Sequence, residues 1–303
     1  MNGLPERAVA QGPALVASLL RDFAADGVTA EDFGLTYQFY PTPLRAGDYP
    51  QDYAAGRFFG YRDRIAVYPA STCKAFYLVA FWHWIETGLL APDAEDFRAL
   101  AAMIQQSSND ATTYILGRLT ATTPGPCLPP AEMAAWWEKR QAVQRYFEVA
   151  HPEIIAGCRL WHSTYEDSPY GREKIARLNG GNLVHPHAAA MLMHDIVRGK
   201  LGSAKATQEM MALLDREPER DADKLPPYYQ DSVRAFMGEA LPRDVGLWSK
   251  AGHTSETRHD MVYIEWPDGV SCIAAIYTTG LHMALNERFL PAFTRNLMAL
   301  RKG

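Results

Sequence analysis

Cysteine is scarce in this chain, with four in 303 residues. None of Cys73, Cys127, Cys158 and Cys272 has C-x-x-C spacing, which argues against a thiolate zinc site or a dithiol redox motif. Cys73 and Cys272 lie in apolar segments and read as small core residues. Cys127 and Cys158 fall in the irregular middle of the chain, where a disulfide between them is allowed. No apolar run reaches the roughly 20 residues that a membrane-spanning helix needs. Basic runs are missing too, and the net charge is −5, so nucleic acid is not an expected partner. Internal repeats and low-complexity segments are absent. The first residues, MNGLPERAVAQGPALVASLL, lack a basic start and an A-x-A-like cleavage site. They read instead as an amphipathic helix with Leu15, Leu19, Leu20 and Phe23 on one stripe. A hydrophobic fraction of 48% is enough for a substantial core, in one large domain or two closely packed ones.

The order of elements is informative. A helix is expected over 12–26, a strand over 33–41 (FGLTYQFYP), a turn-rich loop (TPLRAGDYPQDYAAG), and a second strand in RFFGYRDRIAVYP. Helices follow at 71–90, about 94–106 and about 108–119. PGPCLPP (124–130) is a break holding four prolines. Helical patterns return at 131–150, after His185-Pro186, and at 206–216. DVGLWSKAG, MVYIEW and VSCIAAIYTT read as strands, with Pro267-Asp268-Gly269 as a tight turn. NERFLPAFTRNLMALRK closes as a helix. Two early strands, three late ones and helices between them imply an α/β fold: an antiparallel sheet of about five strands covered by the N- and C-terminal helices. Residues 1–68 and 200–303 form this discontinuous sheet domain, and 69–199 an all-helical domain. The cleft between them is the expected site.

Ser71-Thr-Cys-Lys74 stands at the start of the apolar stretch AFYLVAFWHWIETGLL. A serine at a helix N-terminus with a lysine one turn later can become a nucleophile with a proton acceptor beside it. S-x-x-K is weak by itself. Downstream, MIQQSSNDATTYILGRL supplies Ser107-Ser108-Asn109 in S-x-N form, and LWSKAGHTS supplies Lys250-Ala251-Gly252. The ordered set matches the S-x-x-K, S-D-N, K-T-G signature of penicillin-recognising serine enzymes. Taken singly, Ser107 and Asn109 read as a helix cap cluster and Lys250 as an exposed strand lysine.

On these motifs, and on YPASTCKAF and HDMVYIEWPDGVSCIAAIYTT, the chain resembles the class A β-lactamase-like serine hydrolases. The resemblance is good over about 60–90 and 245–280, fair at 101–118, and lost over 120–180. It implies the family's sheet-plus-helical fold and an acyl-enzyme mechanism. Ser71 would attack a β-lactam or a related amide or ester. Lys74 would take its proton, directly or through water, and Ser107 with Lys250 would relay a proton to the leaving nitrogen. Asn109 would bind the substrate amide, Gly252 would let substrate lie against the strand, and the backbone N–H groups of Ser71 and His253 would form the oxyanion hole. No cofactor is implied, and the partner is a small-molecule substrate. Relatives work outside the cytoplasm; the compartment here is periplasmic or secreted if a leader has been removed, and otherwise cytoplasmic.

The departures matter as much. Ala251 replaces the threonine that helps bind a substrate carboxylate, with Thr254, Ser255 or Arg258 as candidate substitutes. His259 takes the position of a carboxylate-binding arginine, and in a regular strand Arg258 points to the opposite face. Ser108 replaces the aspartate of S-D-N. The gap from Ser71 to Ser107 is short and that from Ser107 to Lys250 long. No E-x-x-L-N loop exists: the only L-N is Leu178-Asn179, preceded at the glutamate position by Ile175. Glu166 and Glu173 are the candidate deacylating bases, or else exposed loop carboxylates. If neither reaches the ester, the fold would serve a non-turnover penicillin-binding or sensor protein, or a D-amino-acid peptidase or esterase. A metal reading of His185, His187 and His194 is rejected for want of cysteine or acidic partners at fitting intervals.

Overall fold

The computed structural model describes residues 3–47, 58–166, 168–217 and 231–302. Part of the loop expected over 42–56 lies outside the described residues. Five strands form one antiparallel sheet in the order β2-β1-β5-β4-β3: β1 (Phe33–Tyr40), β2 (Phe59–Tyr61), β3 (Gly246–His253), β4 (Arg258–Glu265) and β5 (Ser271–Thr278). The last three make a meander, and the turn between β4 and β5 closes with Trp266 N–H donating to Val270 O at 2.9 Å. All eight residues of β1 and of β5 are buried, because both faces of the sheet are covered.

One face carries α1 (Leu4–Asp22) and α12 (Phe289–Lys302). Leu15, Leu19, Phe289 and Phe293 pack there on Leu35, Val262 and Ile276. α1 starts earlier than expected, with Pro5 in its first turn, where the missing N–H costs nothing. The opposite face carries the helical layer: α2 (Lys74–Glu86), α3 (Ala94–Gln105), α4 (Asn109–Thr120), α5 (Pro130–Arg140), α6 (Ala142–Ala150), α7 (Pro152–Ile155), α8 (Gly171–Ala176), α9 (Pro186–Val197) and α10 (Ala204–Leu214), with the short α11 (Leu281–Leu285) at the sheet's end. The helix expected over 131–150 breaks at Gln141 into α5 and α6. α10 gives Ala206, Met210 and Leu214 to the core between the sheet and the helical layer.

α2 is the axis of that core. Its apolar residues surround the whole helix, which is the pattern of a helix buried on all sides, and Lys74 through Phe81 are buried. A lysine at its first position is therefore taken out of solvent by the same packing that builds the core. All four cysteines are free, so the Cys127–Cys158 bridge is not formed; Cys127 is exposed and Cys158 buried. His185 caps α9, its Nδ1 accepting from Ala188 N–H at 3.0 Å. Among the described residues no helix is long and apolar enough to cross a membrane.

Candidate active site

Ser71 lies in a tight turn of 3-10 helix, Ala70–Cys73, that feeds into α2. Ala70 before it has a left-handed backbone, φ 46°, a strained conformation for a residue with a Cβ. Thr72 pins the turn: its hydroxyl donates to Pro69 O at 2.7 Å and meets the Tyr277 hydroxyl at 2.5 Å. The half-buried Ser71 hydroxyl makes no hydrogen bond among the described residues.

Lys74 is fully buried. Its ammonium donates to Asn109 Oδ1 at 2.9 Å and Ser107 Oγ at 3.3 Å, and to Ser107 O. Lys74 makes no hydrogen bond to Ser71; its amine points at the S-x-N segment, which leaves the route through a water of the two expected. Burial pushes the Lys74 amine down to about 8, because a low-dielectric surrounding disfavours its charged form. Lys250, also fully buried, donates to Ser107 Oγ at 2.9 Å. The Ser107 hydroxyl thus sits between two lysines from segments far apart in sequence. Ser107 is left-handed, φ 57°. Ser108 is the cap of α4, accepting from Ala111 N–H at 3.2 Å, which leaves Ser107 and Asn109 for the cleft. The serine standing in for the S-D-N aspartate therefore has a helix-starting role.

β3 is the last strand of the sheet and passes directly beside the Ser71 turn. A Cβ on Gly252 would lie 3.0 Å from both Pro69 O and the Ser71 amide nitrogen, so any larger residue would push the strand and the turn apart. Lys250 and Gly252 pair with Met261 and His259, on the cleft side of the sheet. His253 is exposed at the strand end, its ring near Ala284 O and Arg258. Arg258 does point to the opposite face. There it is buried, donates to Ala284 O at 3.0 Å and stacks on Phe236, so it is no part of the cleft wall. Ala251 packs on that same face. His259 does face the cleft side, but it is buried and spent. Its Nδ1 accepts from Thr278 N–H at 3.0 Å, its Nε2–H donates to Tyr68 O at 2.8 Å, and its ring stacks on Tyr277. Those bonds fix a neutral tautomer, and burial holds its pKa down at about 4.

The two candidate carboxylates part company. Glu173 is buried in an ion pair with buried Arg140; its carboxylate is committed to the helical layer and does not line the cleft around Ser71. Glu166 is exposed and accepts from Asn109 Nδ2 at 2.7 Å. Leu178 and Asn179 are exposed. The residue that holds this loop is Asn182, which sequence reasoning missed. Its Oδ1 accepts from the N–H groups of Trp161 and His162 at 2.8 Å, and its Nδ2 reaches His162 O and the Tyr77 hydroxyl of α2. Also unforeseen is Arg216, which ties Ile104 O at the end of α3 to Ser249 O on β3 and so holds the helix end that leads into Ser107 against the strand that carries Lys250.

Ser71, Ser107, Asn109, Glu166, His253 and Thr254 line a single cleft of about 240 Å³, closed by Tyr68, Thr164 and Tyr165. A second hollow of about 330 Å³ adjoins it and shares Asn109, Thr164, Tyr165 and Glu166. Such a cleft presents one hydroxyl beside a backbone amide, a second hydroxyl between two amines, and one carboxylate. It can hold a small acyl compound and exchange protons among these groups.

Solved structures with the same architecture exist. A β-lactamase from Sphaerobacter thermophilus superposes with a TM-score of 0.64 at 16% identity, covering 95% of this chain and 97% of that one. The last common ancestor of Gram-negative bacteria class A β-lactamase gives 0.61 at 16% identity, covering 93% and 98%. A second ancestral class A β-lactamase gives 0.60 at 17% identity, covering 93% and 99%. At these identities they establish the fold. No curated protein sequence matches the chain. The family model described as the beta-lactamase enzyme family matches residues 40–295, and the chain belongs to that family.

Proposed function

We propose that this protein is a serine hydrolase that is acylated at Ser71 by a β-lactam or a related amide or ester and then releases the acyl group to water. The observation that carries the reading is the Ser107 hydroxyl held between Lys74 and Lys250 in the cleft that contains Ser71. Neutral Lys74 takes the Ser71 proton through a water. The Ser71 oxygen attacks the acyl carbon. The oxyanion meets the amides of Ser71 and His253, the first also favoured by the N-terminus of α2. Ser107 passes a proton to the leaving atom and is replenished from the lysine side. Asn109 orients the acyl group. Glu166, the carboxylate lining the cleft, draws a proton from the hydrolytic water in deacylation.

A second reading is a trap that acylates and turns over slowly. Glu166 is exposed and bound to Asn109 rather than held over Ser71, and that favours slow deacylation. The test is the intact mass of the protein after exposure to an activated acetate ester and to a penicillin, beside Ser71→Ala. Adduct on the parent protein but not on the variant supports the reading. Steady release of product then marks a hydrolase, and a stoichiometric burst marks a trap. No adduct from any acyl donor refutes both.

A further inference from the structure

Four cations stand close behind the cleft lining. Lys74 and Lys250 both donate to Ser107 Oγ, and Arg258 reaches the His253 ring at 3.3 Å. The fourth is Arg177, which donates to Ser163 O at 3.2 Å, stands 5.3 Å from the Tyr165 ring centre and lies against the Tyr68 hydroxyl. Tyr68 and Tyr165 both line the cleft that holds Ser71. Tyr68 is half-buried and precedes the nucleophile by three residues. Its carbonyl accepts from His259 Nε2–H at 2.8 Å, and the carbonyl of Pro69 after it accepts from the Thr72 hydroxyl at 2.7 Å. The phenol is therefore carried on the same pinned turn as Ser71. The Tyr165 hydroxyl, by contrast, is buried.

Arginine is a donor only, so Arg177 can bond to a lone pair of the Tyr68 oxygen but cannot accept its proton. Among the described residues no other group accepts it. Burial raises the Tyr68 pKa above the ordinary tyrosine value, so the group stays protonated through the neutral range. We infer that Tyr68 is a specificity-determining residue: its hydroxyl donates to an oxygen acceptor on the substrate, a carbonyl or carboxylate other than the reacting carbonyl. The inference rests on the reading of Ser71 as nucleophile and adds one substrate contact to that site. A hydroxyl whose oxygen already accepts from a cation is polarised and donates more strongly. Arg177 thus lends its charge to the contact without entering the cleft. Ala251 has no hydroxyl, and both ring nitrogens of His259 are spent on Thr278 N–H and Tyr68 O. His259 serves the substrate instead by fixing Tyr68.

The test compares the full chain with Tyr68→Phe, which keeps the ring and removes only the hydroxyl. The acyl donors are 4-nitrophenyl benzoate and its 3- and 4-carbamoyl and 3- and 4-carboxy derivatives. The plain benzoate has no acceptor beyond the reacting ester and the leaving group that the whole series shares. Acylation is timed by stopped flow, with Ser71→Ala as the blank, and attachment is confirmed by intact mass. Tyr68→Phe is expected to acylate from the benzoate at the parent rate and from at least one derivative about tenfold more slowly, as loss of one polarised hydrogen bond requires. A fall confined to carbamoyl donors assigns a carbonyl acceptor, and one confined to carboxy donors a carboxylate. Arg177→Gln should weaken the same preference a few-fold and add nothing further in the Tyr68→Phe background. Unchanged rates on every donor, or an equal fall on all of them including the benzoate, would overturn the inference and leave the Ser71 reading standing. No Ser71 adduct from any donor would overturn both.

Discussion

Gly252→Ala tests the site by adding one methyl group at its tightest point. Gly252 is not in a left-handed conformation, so alanine meets no backbone penalty, and the whole effect is the contact. The new Cβ would lie 3.0 Å from Pro69 O and Ser71 N and 3.1 Å from Ala70 Cβ, against about 3.5–4.0 Å for relaxed carbon contacts. Two of the three neighbours are backbone, and Ala70 is already strained at φ 46°. Relief therefore moves the Ser71 turn and β3 apart by roughly half an ångström. Overpacking of this kind costs about 1–3 kcal/mol of stability, which denaturant unfolding reads directly. The larger consequence is for acylation, because that displacement opens the oxyanion site. A misplacement of about 1 Å costs about 10²-fold, so half of that costs about tenfold. Stopped-flow acylation by an uncharged activated ester should fall by about that factor while the protein stays folded. A variant that acylates at the parent rate would refute the placement of β3 against the nucleophile.

Other outcomes follow from the same geometry. Because burial holds the Lys74 amine at about 8 and the proposed base is its neutral form, acylation should fall about tenfold per pH unit below pH 7 and level off above pH 9; a flat profile over that range would exclude Lys74 as base. His259 has its folded pKa lowered from 6.5 to about 4, so the stability it contributes is full above pH 6.5 and lost as pH falls toward 4. That amounts to about 3 kcal/mol for this residue, and His259→Gln should flatten the acid limb of the stability curve. Glu173→Gln should cost about 3–5 kcal/mol, since it leaves the buried Arg140 charge unpaired, while the double change Arg140→Met, Glu173→Leu should cost less; chemical denaturation compares them. Glu166→Gln should acylate normally and keep its adduct longer, seen as a persistent mass shift.

The sheet was legible because its strands carry turn residues and apolar runs at the right spacing: Pro267-Asp268-Gly269 announces the β4–β5 turn, and β1 is apolar or aromatic along nearly its whole length. The S-x-x-K, S-x-N and Lys250 motifs were legible because each is local. Ser107 and Lys250 project from different segments, and no local pattern foretells that their side chains meet at 2.9 Å. The loop over 161–182 was not legible for the same reason. It is held by Asn182 reaching Trp161, His162 and Tyr77, which are contacts across the fold rather than a periodicity. Glu173 could not be told from Glu166 without knowing that Arg140 is buried beside it. The break at Gln141 escaped because both flanking segments are good helix formers, and the tertiary packing of α6 on α4 decided it. The orientation of Arg258 was legible from strand alternation alone, whereas the neutrality of His259 needed its two hydrogen-bond partners.

The measurement closest to the central claim is the site of covalent attachment. After brief exposure to an uncharged activated ester, peptide mapping of the parent protein should place one acyl group on Ser71, with Ser71→Ala and Lys74→Ala unlabelled. Attachment at another residue, or labelling of Ser71→Ala at the parent rate, would contradict the account.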